Sequence, residues 1–444
     1  MNGNGKNGTD SKIDSQEKQK YKFLFVSWES LSGDLAWQIK KEGHEVKIYV
    51  KETNDQDVYD GFLEKVDDWK STVDWADVIV FDDIGFGSQA DNLRKAGKFV
   101  IGGSGYTDKL EENREFGQSE MKRLGLLTLP HWEFENYDEA LKFIEENPGR
   151  YVYKPYGSVA SDWKSLLFLG KEEDGKDLHE ILRSNQKTLT KKIKQFQLQK
   201  LATGVEIGVG AFFNGEDFIY PININFEHKK LFPGDIGPFT GEMGTSSYWS
   251  GPNAIFHATL EKFRNEVKQS GYVGYIDINC IVNARGIYPL EFTCRFGYPT
   301  ISLQIEGITS EIGEFMYAIA SHQNYDLKTK KGFQICVVCA VPPFPYEDKS
   351  EMDIYRDLSI LFKKPSLDGI HLGDVKIVEG NWRVAGNTGY VLVVTGAGAT
   401  MEDARKQAYV RIDNIMLQNM FYRTDIGVRW SEDSDRLQTW GYLY

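Results

Sequence analysis

The sequence predicts a multi-domain α/β protein, and three observations carry that expectation. The chain has 444 residues, and a single hydrophobic core rarely serves so many. Over the first hundred residues, apolar β-type runs alternate with helix-like stretches, the pattern of a parallel sheet wound with helices. The composition is 41% hydrophobic, 26% charged and 13% aromatic, an ordinary globular profile that excludes disordered, collagenous and fibrous classes.

The elements follow in order. Residues 1–20 are polar, without the apolar core of a signal peptide, and read as a disordered tail. The run YKFLFVS (21–27) is a strand, Leu35 to Glu42 a helix ending at Gly43, and HEVKIYV (44–50) a second strand. WADVIVF (75–81) and KFVI (98–101) extend the sheet, which places an N-terminal α/β domain at 21–109. The loops 28–34 and 102–108 fall at the carboxyl ends of its strands, where such sheets bind ligands. A central domain over 110–330 is predicted to start with helices at 110–124 and 138–146. The strand 150–156 follows, then a basic run, 187–194, of the kind that forms a solvated helix face. Strands are expected at 196–201, 206–213, 218–226, 275–282 and 287–293, with helices at 258–270 and after 310. Between them, 231–252 is rich in Gly and Pro and reads as a long irregular loop of the kind that is usually functional. A small C-terminal α+β domain (331–444) holds strands at 333–341 and 389–395 and a helix at 401–417.

With 52 Lys+Arg against 65 Asp+Glu the net charge is −13. That argues against a nucleic-acid partner, since backbone binding needs clustered cations. No apolar run reaches the roughly 20 residues of a membrane span. Four cysteines in so long a chain suggest a reducing compartment, hence the cytoplasm. Cys336 and Cys339 form a CxxC in an apolar β-run, with no second pair to complete a metal site. Two core thiols are the better reading.

Three constellations could carry chemistry. Glu291 and Thr293 alternate onto one face at the end of a strand, beside a strand carrying Asp277. Hard oxygen ligands of this kind suit Mg²⁺, which takes one or two carboxylates plus substrate phosphates. Arg295 beside them could stabilise a transferring phosphoryl group; a structural Glu291–Arg295 ion pair competes with this reading. Lys154 sits on a strand among apolar residues and would need an anion if buried, or would lie in solvent at a strand edge. The small-residue loop 157–164 after it, ending at Lys164, could cover phosphates with backbone N–H groups. Third, GDIGPFTGEMGT (234–245) contains four glycines, which permit close backbone approach to a ligand. His228, Lys229 and Lys230 precede it and offer cations to an anionic substrate.

In order along the chain, KLEENREFGQSEMKRLGLLTLP, YVYKP, EHKKLFPGDIGPFTGEMGT, PLEFTCRFGYPT, GYVLVVTGAGATMEDARKQAYVRIDNI and MFYRTDIG together resemble the phosphoribosylamine–glycine ligase family of the ATP-grasp superfamily. The resemblance implies an ATP-grasp fold with a pre-ATP-grasp N-terminal domain. It implies an ATP-dependent carboxylate–amine ligase acting through an acyl phosphate, with ATP and Mg²⁺ (or Mn²⁺) as cofactors and small-molecule amine and carboxylate substrates. Glu291, Thr293 and Asp277 would hold the metal. Arg114, Lys154, Lys164, Gln199, Lys200, Leu201 and Glu206 would contact ATP. Lys229, Asp235, Gly237, Pro238, Thr240 and Gly241 would bind substrate, and Arg295 would steady the acyl phosphate.

The departures from the family pattern are specific. Thr293 replaces an asparagine metal ligand, Tyr298 an aspartate, and Gln199 and Lys200 the hinge glutamates. Phe239 and Glu242 replace Asn and Gly. The glycine-rich N-terminal loop of the family becomes SWESLSGDLAW, with Glu29 and Asp34 and no Lys or Arg between Phe23 and Ile39. This leads to the expectation of an amine or acid other than phosphoribosylamine and glycine. A degenerate ATP-grasp protein that binds nucleotide as a sensor or scaffold is the alternative.

Overall fold

The computed structural model describes residues 19–156, 166–346 and 349–443. All but the last two residues of the expected tail, and the loop 157–164 with Lys164, lie outside them.

The N-terminal sheet is parallel. Strands β1 (Lys22–Ser27), β2 (Glu45–Val50), β3 (Glu64–Lys65), β4 (Val78–Phe81) and β5 (Phe99–Ile101) lie in the order β3-β2-β1-β4-β5. All of β4, and all but the first residue of β1, is buried, as a parallel sheet covered on both faces requires. The helices Gly33–Lys41 and Gly87–Lys95 follow β1 and β4.

A small antiparallel sheet comes next, β6 (His131–Phe134), β7 (Tyr151–Tyr156), β8 (Phe168–Leu169) and β9 (Gln195–Lys200), in the order β6-β9-β7-β8. Its core joins Tyr153, Phe196 and Leu198 to Ile144 and Leu182 from the helices Tyr137–Glu146 and Lys176–Leu189.

The large sheet has eight strands. It uses β10 (Val205–Phe213), β11 (Phe218–Glu227), β14 (Gly244–Ser250), β15 (Gly274–Asn283), β16 (Gly286–Thr293) and β17 (Phe333–Ala340), plus Tyr390–Gly398 and Ile370–Leu372. The order is β16-β15-β10-β11-β14-β17, then Tyr390–Gly398 and Ile370–Leu372. A hairpin, β12 (Lys230–Phe232) with β13 (Ile236–Phe239), projects between β11 and β14. Side-chain alternation divides the two faces. Ile207, Val209, Ile222, Ile224, Ile276 and Ile278 enter the core. Glu206, Asn223, Asn225, Glu227, Asp277, Asn279 and Glu291 share the opposite face.

Four sequence expectations change. The stretch 231–252 is not an irregular loop but the β12–β13 hairpin and the central strand β14. β14 begins Gly-Thr-Ser-Ser and lacks the apolar signature of a strand because its polar face lines a site. The helix expected at 110–124 is two, Gly105–Glu112 and Arg114–Arg123. Asn113 breaks it by accepting the Phe116 N–H at 2.9 Å as an N-cap. The helix expected at 258–270 is divided into Ala254–Ala258, a 3₁₀ turn and Arg264–Gln269. The last expected helix ends at Ile412, and Ile415–Met416 pairs with Leu361–Phe362 instead. All four cysteines are free and buried; Cys336 and Cys339, three apart on β17, point to opposite faces. No helix among the described residues is long and apolar enough to cross a membrane.

Candidate active site

The polar face of the large sheet meets the lysine strand β7 of the small sheet around one ammonium group. Lys229, at the end of β11, places its Nζ 3.2 Å from Glu206, 3.1 Å from Glu227 and 3.1 Å from Glu291. Burial would lower this ammonium, but the three carboxylates outweigh burial and hold it well above the usual lysine range. Asn279 Nδ2 donates to Glu206 at 3.0 Å and to Glu227 at 3.2 Å, tying the array to β15. Glu291 is held down to about 2, chiefly by Lys229, with Arg114 and Lys154 adding to it against burial. Arg114, the first residue of its helix, lies 4.0 Å from Glu291.

Lys154 reaches from β7 and donates to Gln199 Oε1 at 2.6 Å. Burial, with Arg114 and Lys229 nearby, lowers it to about 7. A cation kept partly neutral in a cleft is suited to an incoming anion, which would restore its charge. Beneath the array, Asn225 Oδ1, Asn279 Oδ1, Thr245 Oγ1, Glu242 Oε1 and both amide atoms of Asn223 have no hydrogen-bond partner. Buried groups left open in this number face a ligand or ordered water more readily than they stay orphaned.

Arg295 forms the other end of the site. Its Nε lies 3.2 Å from Glu111 and 3.4 Å from Asp83. Burial would lower the guanidinium, but these carboxylates outweigh it. Glu111 also accepts the Cys294 N–H at 2.6 Å, which fixes the turn carrying Arg295.

Several sequence-predicted residues lie elsewhere. Asp277 faces Thr293 across the sheet, whereas Glu291 faces Asn279. The Asp277 carboxylate takes hydrogen bonds from Asn225 at 2.8 Å and Tyr275 at 3.1 Å. Burial, with Glu227 adding to it, pushes it up to about 7, so Asp277 lies on the same sheet face as Glu291 with its carboxyl held by Asn225 and Tyr275. Lys200 does not enter the cleft; its Nζ lies 4.6 Å from the Tyr151 ring centre. At the crossover between the sheets, Leu201 N–H donates to Arg150 O at 2.9 Å and Lys200 N–H to Pro130 O at 2.8 Å. Of the glycine-rich residues, Thr240 is spent on Lys229 O (Oγ1, 2.9 Å) and Gly237 O accepts from Lys230 at 3.0 Å. Asp235 is paired to Arg423 at 2.9 Å and Arg429 at 3.2 Å. Gly237 and Gly241 are exposed, and Pro238 is half-buried.

Sequence reasoning missed Glu227, Asn279, Asn225, Asp83 and Glu111. The alternating runs N-I-N-F-E (223–227) and D-I-N (277–279) carried the signal for the first three: a strand that alternates polar and apolar where both faces are covered is lining something.

The architecture is an ATP-grasp fold. A family model described as phosphoribosylglycinamide synthetase, ATP-grasp (A) domain, matches residues 112–301, and one for the C domain of the same protein matches 334–429, together more than half of the chain. The chain belongs to the phosphoribosylglycinamide synthetase family. The phosphoribosylamine–glycine ligase of Listeria monocytogenes serovar 1/2a is 27% identical over 359 residues, covering 76% of this chain and 80% of that protein. The ligase of Clostridium acetobutylicum is 25% identical over 355 residues with the same coverages. Among solved structures, the phosphoribosylamine–glycine ligase of Thermotoga maritima superposes with a TM-score of 0.68 at 22% identity, covering 91% of this chain and all of that one. Biotin carboxylase from Campylobacter jejuni gives 0.61 at 13% identity, covering 96% of this chain and 97% of its own. These two structural likenesses speak to the fold.

Proposed function

We propose that the chain is an ATP-dependent carboxylate–amine ligase. The observation that carries this reading is the array of Lys229, Glu206, Glu227 and Glu291 on one sheet face, opposed by Lys154 and Arg114 and ending at Arg295. Lys154 on the small sheet and Arg114 at the start of its helix would meet the phosphates of ATP. The substrate carboxylate would attack the γ-phosphorus, releasing ADP, and the amine would then attack the acyl carbon, releasing phosphate and leaving an amide. Arg295, held by Glu111 and Asp83, is positioned to stabilise charge on the transferring phosphoryl group.

A divalent cation fits the donor set in one specific way. Among the described residues no group of three or more His, Cys, Asp or Glu could hold a metal alone. Glu291 and the Thr293 hydroxyl are hard oxygen donors, and Mg²⁺ accepts so few protein ligands when nucleotide phosphates supply the rest. Bound there, it would neutralise charge between the β- and γ-phosphates. The units 21–109, 110–330 and 331–444, and a cytoplasmic setting consistent with four free buried thiols, belong to the same reading.

The test is ADP release with panels of amines and carboxylates. Release that requires both co-substrates is expected. Tight ATP binding with no co-substrate-dependent release would replace the ligase with a nucleotide-binding scaffold.

A further inference from the structure

The loop after β1 closes on a buried acid, Asp82, which burial pushes up to about 7. In the turn before the Gly33–Lys41 helix and at its first residue, three N–H groups are engaged. Ser32 N–H and Oγ donate to the buried Asp82 carboxylate at 3.2 and 2.6 Å, Gly33 N–H to Tyr59 at 3.2 Å, and Leu31 N–H to Ser27 at 3.3 Å. A helix start is where a phosphate is ordinarily received; here the cap N–H and hydroxyl of Ser32 are already given to Asp82.

Beside this loop lies a cavity of about 60 Å³, walled by Glu29 and Ser30 on one side and Asp374, Thr388 and Tyr390 on the other. Tyr298 lines it too and stacks its ring 5.8 Å from the Arg295 guanidinium, so the cavity adjoins the transfer end of the site. None of the described residues lining it is Lys, Arg or His. Asp34, also in the wall, is bound to His371 at 2.7 Å and to Leu372 N–H at 3.1 Å. His371 uses its second ring nitrogen on Thr395 at 3.1 Å, which leaves no imidazole for an anion. The Ser30 hydroxyl, on a residue 3% exposed, has no hydrogen-bond partner. The Asp374 carboxyl accepts from Thr388 Oγ1 at 2.5 Å on one oxygen, and burial, with Asp55 adding to it, still pushes it well above the carboxylate range, the behaviour of an acid lacking a cation.

We propose that this cavity receives the amine co-substrate, and that this amine is a small hydroxylated amine without a phosphate group, its nitrogen directed at Asp374 and a hydroxyl at Ser30. The inference rests on the ligase reading for the word co-substrate, but not for the binding. A phosphate ester brought here would meet a wall of acidic side chains with no Lys, Arg or His to compensate its charge.

The experiment is calorimetric titration of the whole chain with ethanolamine and serinol, and with phosphoethanolamine as the matched ester. ATP is titrated into the same samples. Ethanolamine or serinol is expected to bind at least about tenfold more tightly than phosphoethanolamine. Asp374→Asn should weaken the amine about tenfold and Ser30→Ala about threefold, with ATP affinity unchanged in Ser30→Ala. Equal or tighter binding of phosphoethanolamine would overturn the proposal. So would absence of millimolar binding by both amines, or Ser30→Ala and a folded Asp374→Asn that bind them normally. Loss of ATP binding in the unaltered chain would count against the ligase reading alone.

Discussion

Glu291 and Lys154 sit on opposite sides of the cleft, and their charge states are set by each other's neighbours. Glu291→Ala is expected to lower ADP release about a hundredfold, since it deletes the one predicted metal ligand at the centre of the array. Initial-rate assays with saturating ATP check this, and near-normal turnover would remove Glu291 from the site. Asp277→Asn should cost activity mainly through stability, because its carboxylate is bound inward by Asn225 and Tyr275. A thermal melt run beside the assay separates the two. Lys154 gives a pH prediction. Its amine is lowered to about 7, well below the unfolded lysine value of about 10.4. The native state therefore holds fewer protons than the unfolded chain between those values, and this group's contribution to stability rises with pH across that window. Bound phosphates would restore the ammonium, so ATP binding above pH 7 should take up a proton and weaken as pH rises to 9. Titrations in buffers of different ionisation heat measure this; uptake unchanged in Lys154→Met would show that another group is responsible.

At the scale of elements, the C-terminal run Arg423–Thr424–Asp425 fastens the hairpin whose glycines looked like a substrate loop. Arg423, 1% exposed, donates to Lys230 O at 2.8 Å and to Asp235 at 2.9 Å, and Asp425 accepts Gly234 N–H at 2.9 Å. Arg423→Ala should cost about 2 kcal/mol and speed proteolytic cleavage within 232–239. Unchanged cleavage would mean that the hairpin holds itself. The parallel N-terminal sheet and the strands β10, β11, β15 and β16 were legible because their apolar runs are continuous or strictly alternating. β14 was not, since Thr245, Ser246 and Ser247 are buried polar residues whose strand is dictated by the neighbours β11 and β17. Glu291, Arg295 and Lys154, proposed for the site, stand in short motifs that the sequence shows as strands or strand ends. Glu227 and Glu111 were not legible, because what they do depends on Lys229 and Arg295, which lie close only in the fold. For Asp277 the strand pairing was legible, but not the hydrogen bonds from Asn225 and Tyr275 that its carboxylate accepts.

Across the whole molecule, Asp34 joins the first and last parts of the chain. It accepts from His371 and Leu372 N–H and, at 3.3 Å, from Ser302. His371→Ala should destabilise by about 3 kcal/mol, the typical cost of leaving a buried carboxylate without its partner; denaturant unfolding measures it, and a change below about 0.5 kcal/mol, the range of surface substitutions, would reduce the contact to surface decoration. The eight-stranded sheet has a consequence for how the protein can be divided. β17 and Tyr390–Gly398 continue the hydrogen-bond ladder of β14 beyond residue 330. A fragment cut there would present the backbone of Gly244–Tyr248 as a raw edge, ready to pair with any extended chain it meets. Such a fragment should form aggregates at concentrations where the intact chain stays dispersed, and adding back the C-terminal segment as a separate polypeptide should rescue it by strand exchange.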